Sequence, residues 1–213
     1  MSLKNYKTIL SGEVFEAEYE IQKSHFIAHV KQVEDEKSAK TFLQQIKKKH
    51  FDATHNCSAW VLGIDGSRQK SNDDGEPGGT AGNPILETIK KNELVNTIVV
   101  VTRYFGGIKL GAGGLIRAYS HTAVLGISAS KVVTMTPMQR ISIIIDYNLL
   151  ASVENWLRSQ KIIVENKDYT DNVTINILVL PDEVEKRLVE LTDLTAANFS
   201  HELKEMTLLG KSD

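Results

Sequence analysis

The chain has 213 residues, of which 41% are hydrophobic and 24% charged, an ordinary balance for a globular protein with one large or two small domains. Its net charge of −2 argues against nucleic-acid binding through bulk charge, and no apolar run approaches the roughly 20 residues that span a bilayer. The single cysteine excludes an internal disulfide, as is usual in the cytoplasm. Because the N-terminal stretch also lacks the apolar segment of a signal peptide, we expect a cytoplasmic protein without membrane association.

Apolar periodicity predicts the elements that precede the first glycine-rich stretch. Residues 6–21 are rich in β-forming side chains and predict one or two strands, and residues 24–33 alternate polar and apolar side chains, which predicts a strand with one apolar face. Residues 35–49 show helical spacing and end in three lysines, a charge pattern typical of a helix C-terminus. Another strand is predicted over 55–64. We expect these elements and their successors to form an α+β layer with its helices on one face.

A glycine-rich stretch organises this half of the chain. The apolar, β-branched run 98–101 predicts a buried strand, which leads through Arg103 to a glycine loop (residues 106–114) and then to a helix. The glycines of this loop are Gly106, Gly107, Gly111, Gly113 and Gly114. A helix N-terminus carries unpaired N–H groups and partial positive charge, and glycines let such a backbone approach an anion. With Arg103, Lys109 and Arg117 at its edges, the loop predicts a cradle for an anion such as phosphate.

A second irregular stretch, the acidic loop (residues 71–84), precedes a short predicted helix. It is too rich in Gly, Pro, Asn and Asp for a regular element and too long for a simple turn. Its carboxylates complement the basic edges of the glycine loop, and its end supplies a second helix N-terminus. The candidate ligand-binding residues of this loop are Asp73, Asp74, Gly75, Glu76, Thr80, Ala81 and Gly82.

Both loops also have a structural interpretation. Asp73, Asp74 and Glu76 could hold Mg²⁺ beside a phosphate or supply a general base. They could instead cap turns and the following helix, or pair with Arg103 and Arg117. The glycines could serve only tight turns and close packing of a helix against a strand.

The other chemically active residues give weaker signals. His55 and Cys57 point to the same face of one predicted strand, but no second His or Cys cluster has ligand spacing, so we expect no metal site. Tyr104 and Phe105, beside Arg103, could stack on a nucleobase or pack in the core. The sequence contains no Walker A, dinucleotide-binding or helix-turn-helix motif, and no catalytic residue can be assigned.

The chain from residue 135 onward predicts a second domain. The predicted elements are a strand at 141–145, a helix around Trp156, strands at 162–166 and 173–180, a helix opened by Pro181, and a strand at 199–209. This βαββαβ order is the ferredoxin-like plan. We expect the boundary near Met135-Thr136-Pro137, which gives domains 1–134 and 135–213. The second domain has 8 basic and 13 acidic residues, a net charge of −5, which leaves +3 for the first.

Three blocks of the sequence resemble the YigZ/IMPACT family. They are His55-Asn-Cys-Ser-Ala-Trp60, Asp73-Asp-Gly-Glu-Pro-Gly-Gly-Thr-Ala-Gly82, and the segment from Gly82-Asn-Pro-Ile-Leu to Arg103-Tyr-Phe-Gly-Gly-Ile-Lys-Leu-Gly111. The resemblance implies a first domain like the second domain of a small-subunit ribosomal protein, and a ferredoxin-like second domain similar to one in elongation factor G. It also implies a role near translation, because eukaryotic relatives carry the first domain beside a different one and act in translational control.

Two functions fit these observations. The first is a non-catalytic regulator or accessory factor of translation that binds RNA, the ribosome or a translation factor through the glycine loop and its cations, without a cofactor. The second is an enzyme or sensor for a small, nucleotide-like phosphorylated ligand, with Mg²⁺ held by the carboxylates. The lack of a general base with a matched partner favours the first. A protein–protein adaptor is a third interpretation, and the sequence does not predict the oligomeric state.

Overall fold

The computed structural model describes residues 4–212 of the chain. The strands are β1 (Tyr6–Ile9), β2 (Val14–Ile21), β3 (Ser24–Gln32), β4 (His55–Leu62), β5 (Arg68–Asn72), β6 (Thr97–Tyr104), β7 (Val132–Ile145), β8 (Ile163–Tyr169), β9 (Val173–Val179) and β10 (Ser200–Ser212). The α-helices are α1 (Glu36–Lys49), α2 (Gly82–Lys91), α3 (Gly111–Ala129), α4 (Leu150–Ser159) and α5 (Val184–Thr195). Within the described residues, no helix has the length and apolar character needed to cross a membrane.

The chain divides into two compact units. The N-terminal unit contains Lys4–Met135 and the residues from Gly210 onward, and the C-terminal unit contains Thr136–Leu209. The division falls inside β7, which continues as a strand through Pro137. Each unit has the mixed α+β architecture that the sequence predicts.

The N-terminal unit is built on a five-stranded antiparallel sheet in the order β2-β3-β6-β4-β5. The predicted buried strand is confirmed as β6, and it occupies the centre of this sheet. Helices α2 and α3 cover one face, where Val99 and Val101 contribute to the larger core. The expectation of helices on one face only is wrong, because α1 covers the other face and packs Phe42 against Ile98 and Val100. A continuous apolar run is the pattern of a strand buried on both faces.

The boundaries of the two candidate loops differ from those predicted. Strand β5 was not predicted, because its sequence Arg-Gln-Lys-Ser-Asn is polar and lies at the edge of the sheet. Ser71 and Asn72, predicted in the acidic loop, belong to β5, and residues 82–84 belong to α2. Helix α3 begins at Gly111, so the last glycines of the glycine loop form its first turn.

The C-terminal unit confirms the predicted βαββαβ order. Its strands are arranged β10-β7-β9-β8, with β7 antiparallel to β9 over Gln139–Ile145 and β9 antiparallel to β8. This is the arrangement of a ferredoxin-like fold. The core joins inward residues of β7 and β9 to Val153 and Leu157 of α4 and Leu191 of α5.

Candidate functional site

Arg103, at the end of β6, lies inside the N-terminal unit and is only 5% exposed. Its Nη1 donates to Glu76 Oε1 at 2.6 Å, and its Nη2 donates to Ser24 Oγ at 3.4 Å. The guanidinium carbon lies 5.4 Å from the ring centre of Phe26 and 5.3 Å from that of Phe105, distances that allow cation–π attraction. The structure therefore differs from the expectation of an open basic edge, because Arg103 is held by interior partners.

Glu76 joins Arg103 to a buried chain of hydroxyl and thiol groups. Tyr119 Oη donates to Glu76 Oε1 at 2.7 Å, and Cys57 Sγ lies 3.3 Å from Tyr119 Oη and 3.0 Å from the carbonyl oxygen of Asp73. Burial raises the pKa of Tyr119 and raises that of Cys57 to about 12. Both groups are therefore protonated near neutral pH, and Cys57 has the properties of a structural thiol rather than a nucleophile.

Asp73 fixes the course of the acidic loop. Its Oδ1 accepts from the backbone N–H groups of Ala81 and Gly82 at 3.0 and 2.8 Å, and its Oδ2 accepts from that of Gly79 at 2.9 Å. Burial alone would raise the pKa of Asp73, but these hydrogen bonds outweigh it and hold the pKa below its ordinary value. The carboxylate thus caps the start of α2, in agreement with the structural interpretation of this residue.

Asp74 links the acidic loop to α1 and β4. Its Oδ1 lies 2.5 Å from Lys47 Nζ, and its Oδ2 accepts from the backbone N–H of Asn56 at 2.7 Å. The backbone turns through positive φ at Asp74 and Gly75, where φ is +45° and +90°. The carbonyl of Asp74 lies 2.8 Å from His55 Nδ1, whose other ring nitrogen lies 3.8 Å from Glu76 Oε1.

The three loop carboxylates therefore have separate protein partners. Asp73 binds backbone amides, Asp74 binds Lys47 and a backbone amide, and Glu76 binds Arg103 and Tyr119. Thr80 also has an internal role, since its buried Oγ1 donates to the carbonyl of the loop proline. In the part of the chain that the structure describes, no group of three or more His, Cys, Asp or Glu side chains is arranged to hold a metal ion.

Close backbone packing fixes the first glycine of the glycine loop. A Cβ on Gly106 would lie 2.0 Å from the backbone of Lys23 in the β2–β3 turn, so no side chain fits there. The N–H of Gly106 donates to Ser24 Oγ at 3.2 Å, and the same hydroxyl accepts from Arg103. Gly107 and Gly111 adopt φ of +84° and +70°, which favours glycine. Interior contacts thus position the beginning of an exposed loop.

The exposed part of the loop presents unpaired positive charge. Lys109, Arg117 and the neighbouring Lys23 are exposed, and within residues 4–212 none of them has a hydrogen-bond or ion-pair partner. Among the residues that the structure describes, no side chain caps helix α3, and its first turn has no acidic residue. A Cβ on Gly113 would lie 3.6 Å from Arg117 Nη1, so this guanidinium lies close to the first turn of the helix. We name Gly106–Gly114 with Lys23, Lys109 and Arg117 the glycine-loop surface.

The structure separates the predicted site residues into three places. Asp73, Glu76 and Arg103 belong to the interior network, whereas the glycine-loop surface is exposed. Tyr104 follows Arg103 on β6 and lies on the opposite face, where its Oη lies 3.0 Å from His50 Nδ1 and donates to Asp52 Oδ1 at 3.2 Å. It therefore does not join either loop.

Sequence reasoning missed several residues of this region. The sequence did not link Tyr119, Ser24 or Lys47 to the two loops. On the opposite face of the sheet, His29 lies 2.9 Å from Glu16 and 3.3 Å from Thr102, and its ring centre lies 4.9 Å from that of His50. The alternation of histidines in β3 was the only sequence signal for this polar row.

Comparison with known proteins identifies both units. Residues 22–127 match the Impact N-terminal domain, and residues 143–198 match a domain of unknown function, DUF1949. A solved structure described as that of a hypothetical protein is 28% identical, with a TM-score of 0.61, and the match covers 96% of this chain and 99% of that one.

Several proteins are similar to this chain over all or part of its length. The chain is 44% identical to the IMPACT family member YvyE of Bacillus subtilis over 210 residues, which cover 99% of this chain and 96% of that protein. It is 33% identical to the IMPACT family member YigZ of Escherichia coli over 178 residues, 83% of this chain and 87% of the relative. A protein IMPACT homolog of Dictyostelium discoideum is 38% identical over 104 residues, which cover 47% of this chain but 28% of that protein. This chain belongs to the IMPACT family.

Proposed function

We propose that this protein is a non-catalytic accessory factor of translation that binds the phosphate groups of RNA through the glycine-loop surface. The observation that carries the proposal is the N-terminus of α3, which has no side-chain cap in the described part of the chain and lies beside Lys109 and Arg117, which have no partner there. Backbone N–H groups and the helix dipole at such an end favour negative charge. Membership of the IMPACT family supports the link to translation, because the resemblance to this family implies a role near translation.

An exposed aromatic ring adds a second kind of contact. Phe105 is 44% exposed and lies over the guanidinium of Arg103, which fixes the inner side of its ring. Stacking of a base on an aromatic ring beside bound phosphates is typical of proteins that bind single-stranded RNA. Phe105 is therefore the candidate stacking platform of the site, and Arg103 supports it from the interior.

The environment of the reactive groups supports a binding role. The Cys57 thiol is buried and its pKa is raised to about 12, and the three carboxylates of the acidic loop are engaged by protein groups. A catalytic site needs a nucleophile or base held ready for substrate. Within the described residues, neither loop presents such a pair.

A binding titration tests the proposal. Fluorescence anisotropy with a single-stranded RNA of about 12 nucleotides would be recorded at about 50 and 200 mM salt. We expect the Lys109→Ala, Arg117→Ala double variant to bind more weakly, with a salt slope reduced by roughly 0.7 for each phosphate that the variant no longer neutralises. Lys186→Ala, which removes an exposed lysine on α5, is the matched control. Equal affinity and equal slope in all three proteins would contradict the proposal.

Small phosphorylated compounds provide a separate comparison. Inorganic phosphate and a nucleotide, each with and without Mg²⁺, would be tested as stabilisers in thermal unfolding, since a ligand that binds the folded state raises the melting temperature. We expect small shifts that do not depend on Mg²⁺, because the carboxylates are already engaged. A large shift that requires Mg²⁺, together with weak RNA binding, would support the small-ligand function instead.

A further inference from the structure

Strand β2 forms one edge of the sheet in the N-terminal unit. Its only strand partner among the described residues is β3. The two strands are joined by a two-residue turn at Gln22 and Lys23, both with positive φ, and Ile21 is paired with Ser24. In such a hairpin the pair that closes the turn is hydrogen-bonded, and hydrogen-bonded pairs then alternate along the strands. The backbone groups of the even-numbered residues of β2 therefore point away from β3.

A groove runs between this free edge and helix α3. Its volume is about 570 Å³. Tyr19 and Ile21 line it from β2, and Ile116, Arg117 and Val124 are among the α3 residues that line it. Ile116 and Val124 are 43% and 44% exposed, so apolar surface is open along the helical side. A free strand edge beside an apolar groove is the arrangement that takes up an extended peptide as an additional strand.

The other face of β2 carries a row of negative charge. Glu16, Glu18 and Glu20 alternate with the groove-facing side chains of the strand, and because Lys49 already pairs with Glu16 at 2.7 Å, Glu18 and Glu20 supply the available charge. The Glu18 side chain is 66% exposed; within residues 4–212 its ion-pair partner is His25, and Glu20 has no hydrogen-bond or ion-pair partner there. Opposite charges on neighbouring strands attract and like charges repel. The row therefore favours a basic neighbouring strand.

We propose that the groove between β2 and α3 binds an extended peptide that alternates apolar and basic residues and pairs with β2 as an added strand. The apolar side chains enter the groove toward Ile116 and Val124, and the basic side chains lie beside Glu18 and Glu20. A second copy of β2 is a poor occupant, because it would bring its own glutamate row against this one. The inference goes beyond the proposed function, since it concerns a different partner and a groove that shares only Leu110, Gly114 and Arg117 with the glycine-loop surface.

A labelled peptide tests the proposal. The probe is a fluorescein-labelled peptide as long as β2, eight residues, that alternates valine and lysine. One comparison peptide has the same composition with the lysines grouped together, and another replaces lysine with glutamate. We expect the alternating lysine peptide to bind most tightly. Val124→Glu should weaken its binding about tenfold or more, because the change removes apolar surface from the groove and places a charge there.

Matched variants separate this binding from other effects. Val189→Glu, at an exposed valine of α5, should leave binding unchanged, and Glu20→Lys should weaken the lysine peptide and strengthen the glutamate peptide. Lys109→Ala should reduce RNA binding and leave peptide binding unchanged, so each proposal can fail alone. Lack of binding by the alternating peptide, equal binding of the grouped peptide, or equal effects of Val124→Glu and Val189→Glu would overturn the inference. A dimer that Val124→Glu dissociates would also overturn it, in favour of a second copy.

Discussion

Arg103 and Glu76 form an ion pair in which 2.6 Å separates Nη1 from Oε1, and their side chains are only 6% and 3% exposed. Removing one partner leaves the other charged and buried, which typically costs about 3–5 kcal/mol. We predict a loss of this size in the free energy of unfolding for Arg103→Ala and for Glu76→Ala, measured by urea denaturation. The double variant should lose much less than the sum, because it leaves neither charge unpaired. Additive losses would show that the pair is not coupled.

This ion pair changes how an Arg103 variant must be interpreted. If Arg103→Ala binds RNA more weakly, local unfolding of the variant would explain the result as readily as removal of a direct contact between Arg103 and RNA. The exposed Lys109 and Arg117 have no such interior partners among the described residues. They are therefore the informative positions for binding, and Arg103 is informative for stability.

Asp73 should stabilise the acidic loop through its bonds to three backbone N–H groups. We predict that Asp73→Ala lowers the free energy of unfolding by about 2 kcal/mol, a size typical of removing a helix cap or a charge-assisted hydrogen bond. Asp73→Asn should cost less, because one amide oxygen can still accept. Urea denaturation at neutral pH measures both changes, and an unaltered midpoint in Asp73→Ala would contradict the assignment.

The contribution of Asp73 should also depend on pH. Because its folded-state pKa is below the ordinary value, its stabilisation is complete above the unfolded-state pKa and is lost as the pH falls through the folded-state pKa. The difference in unfolding free energy between wild type and Asp73→Asn should therefore shrink below about pH 4. A difference that stays constant into acid would contradict the lowered pKa.

Gly106 is predicted to tolerate no side chain. A Cβ would lie 2.0 Å from the backbone of Lys23, so Gly106→Ala must displace the β2–β3 turn. We expect a destabilisation of about 3 kcal/mol or more, the range of severe packing and strain effects. Gly78→Ala is the control, because nothing lies within 4 Å of its Cβ position. Thermal unfolding of the two variants measures the difference, and similar melting temperatures would argue against the close approach.

His29 should give the fold a pH dependence between about 4 and 6.5. Burial outweighs the nearby Glu16 and lowers the pKa of His29 to about 4, whereas the unfolded chain binds this proton near pH 6.5. The neutral ring therefore stabilises the fold fully above pH 6.5, and stability falls as the pH decreases toward 4. We expect this component, up to about 3 kcal/mol, to be absent from His29→Gln. An unchanged pH profile of urea denaturation in that variant would contradict the prediction.

Much of the fold could be predicted because its elements carry strong periodic signals. The run 98–101 predicts the central strand, and helical spacing predicts α1, α3 and the helices of the C-terminal unit. Strand β5 could not be predicted in this way. Its residues are polar because it is an edge strand, and its position depends on pairing with β4 rather than on its own apolar pattern.

The site was harder to predict, because the presence of a charged residue in the sequence does not show whether its side chain faces the interior or the solvent. In the sequence, Arg103 and Lys109 are equivalent, since both are basic residues beside the glycines. Arg103 lies on β6, in a sheet that is covered on both faces, so its side chain must point into the interior. Lys109 lies in a loop and can face solvent. For Glu76 the sequence left two alternatives open, a role in binding Mg²⁺ or as a base, and pairing with Arg103 or Arg117; the structure places Arg103 and Tyr119 beside it. These pairings join residues far apart in sequence, so the sequence could offer the pairing with Arg103 only as one alternative and did not indicate Tyr119.

The most direct test of the central claim is co-sedimentation with ribosomal particles from a gently lysed native extract, at low and high salt. The proteins compared are wild type, the Lys109→Ala, Arg117→Ala double variant and the Lys186→Ala control. If the glycine-loop surface binds RNA of the translation machinery, wild type and Lys186→Ala will travel with the particles at low salt, and the double variant will remain at the top of the gradient. If the double variant travels with the particles as wild type does, or if wild type does not travel with them at low salt, the claim is wrong.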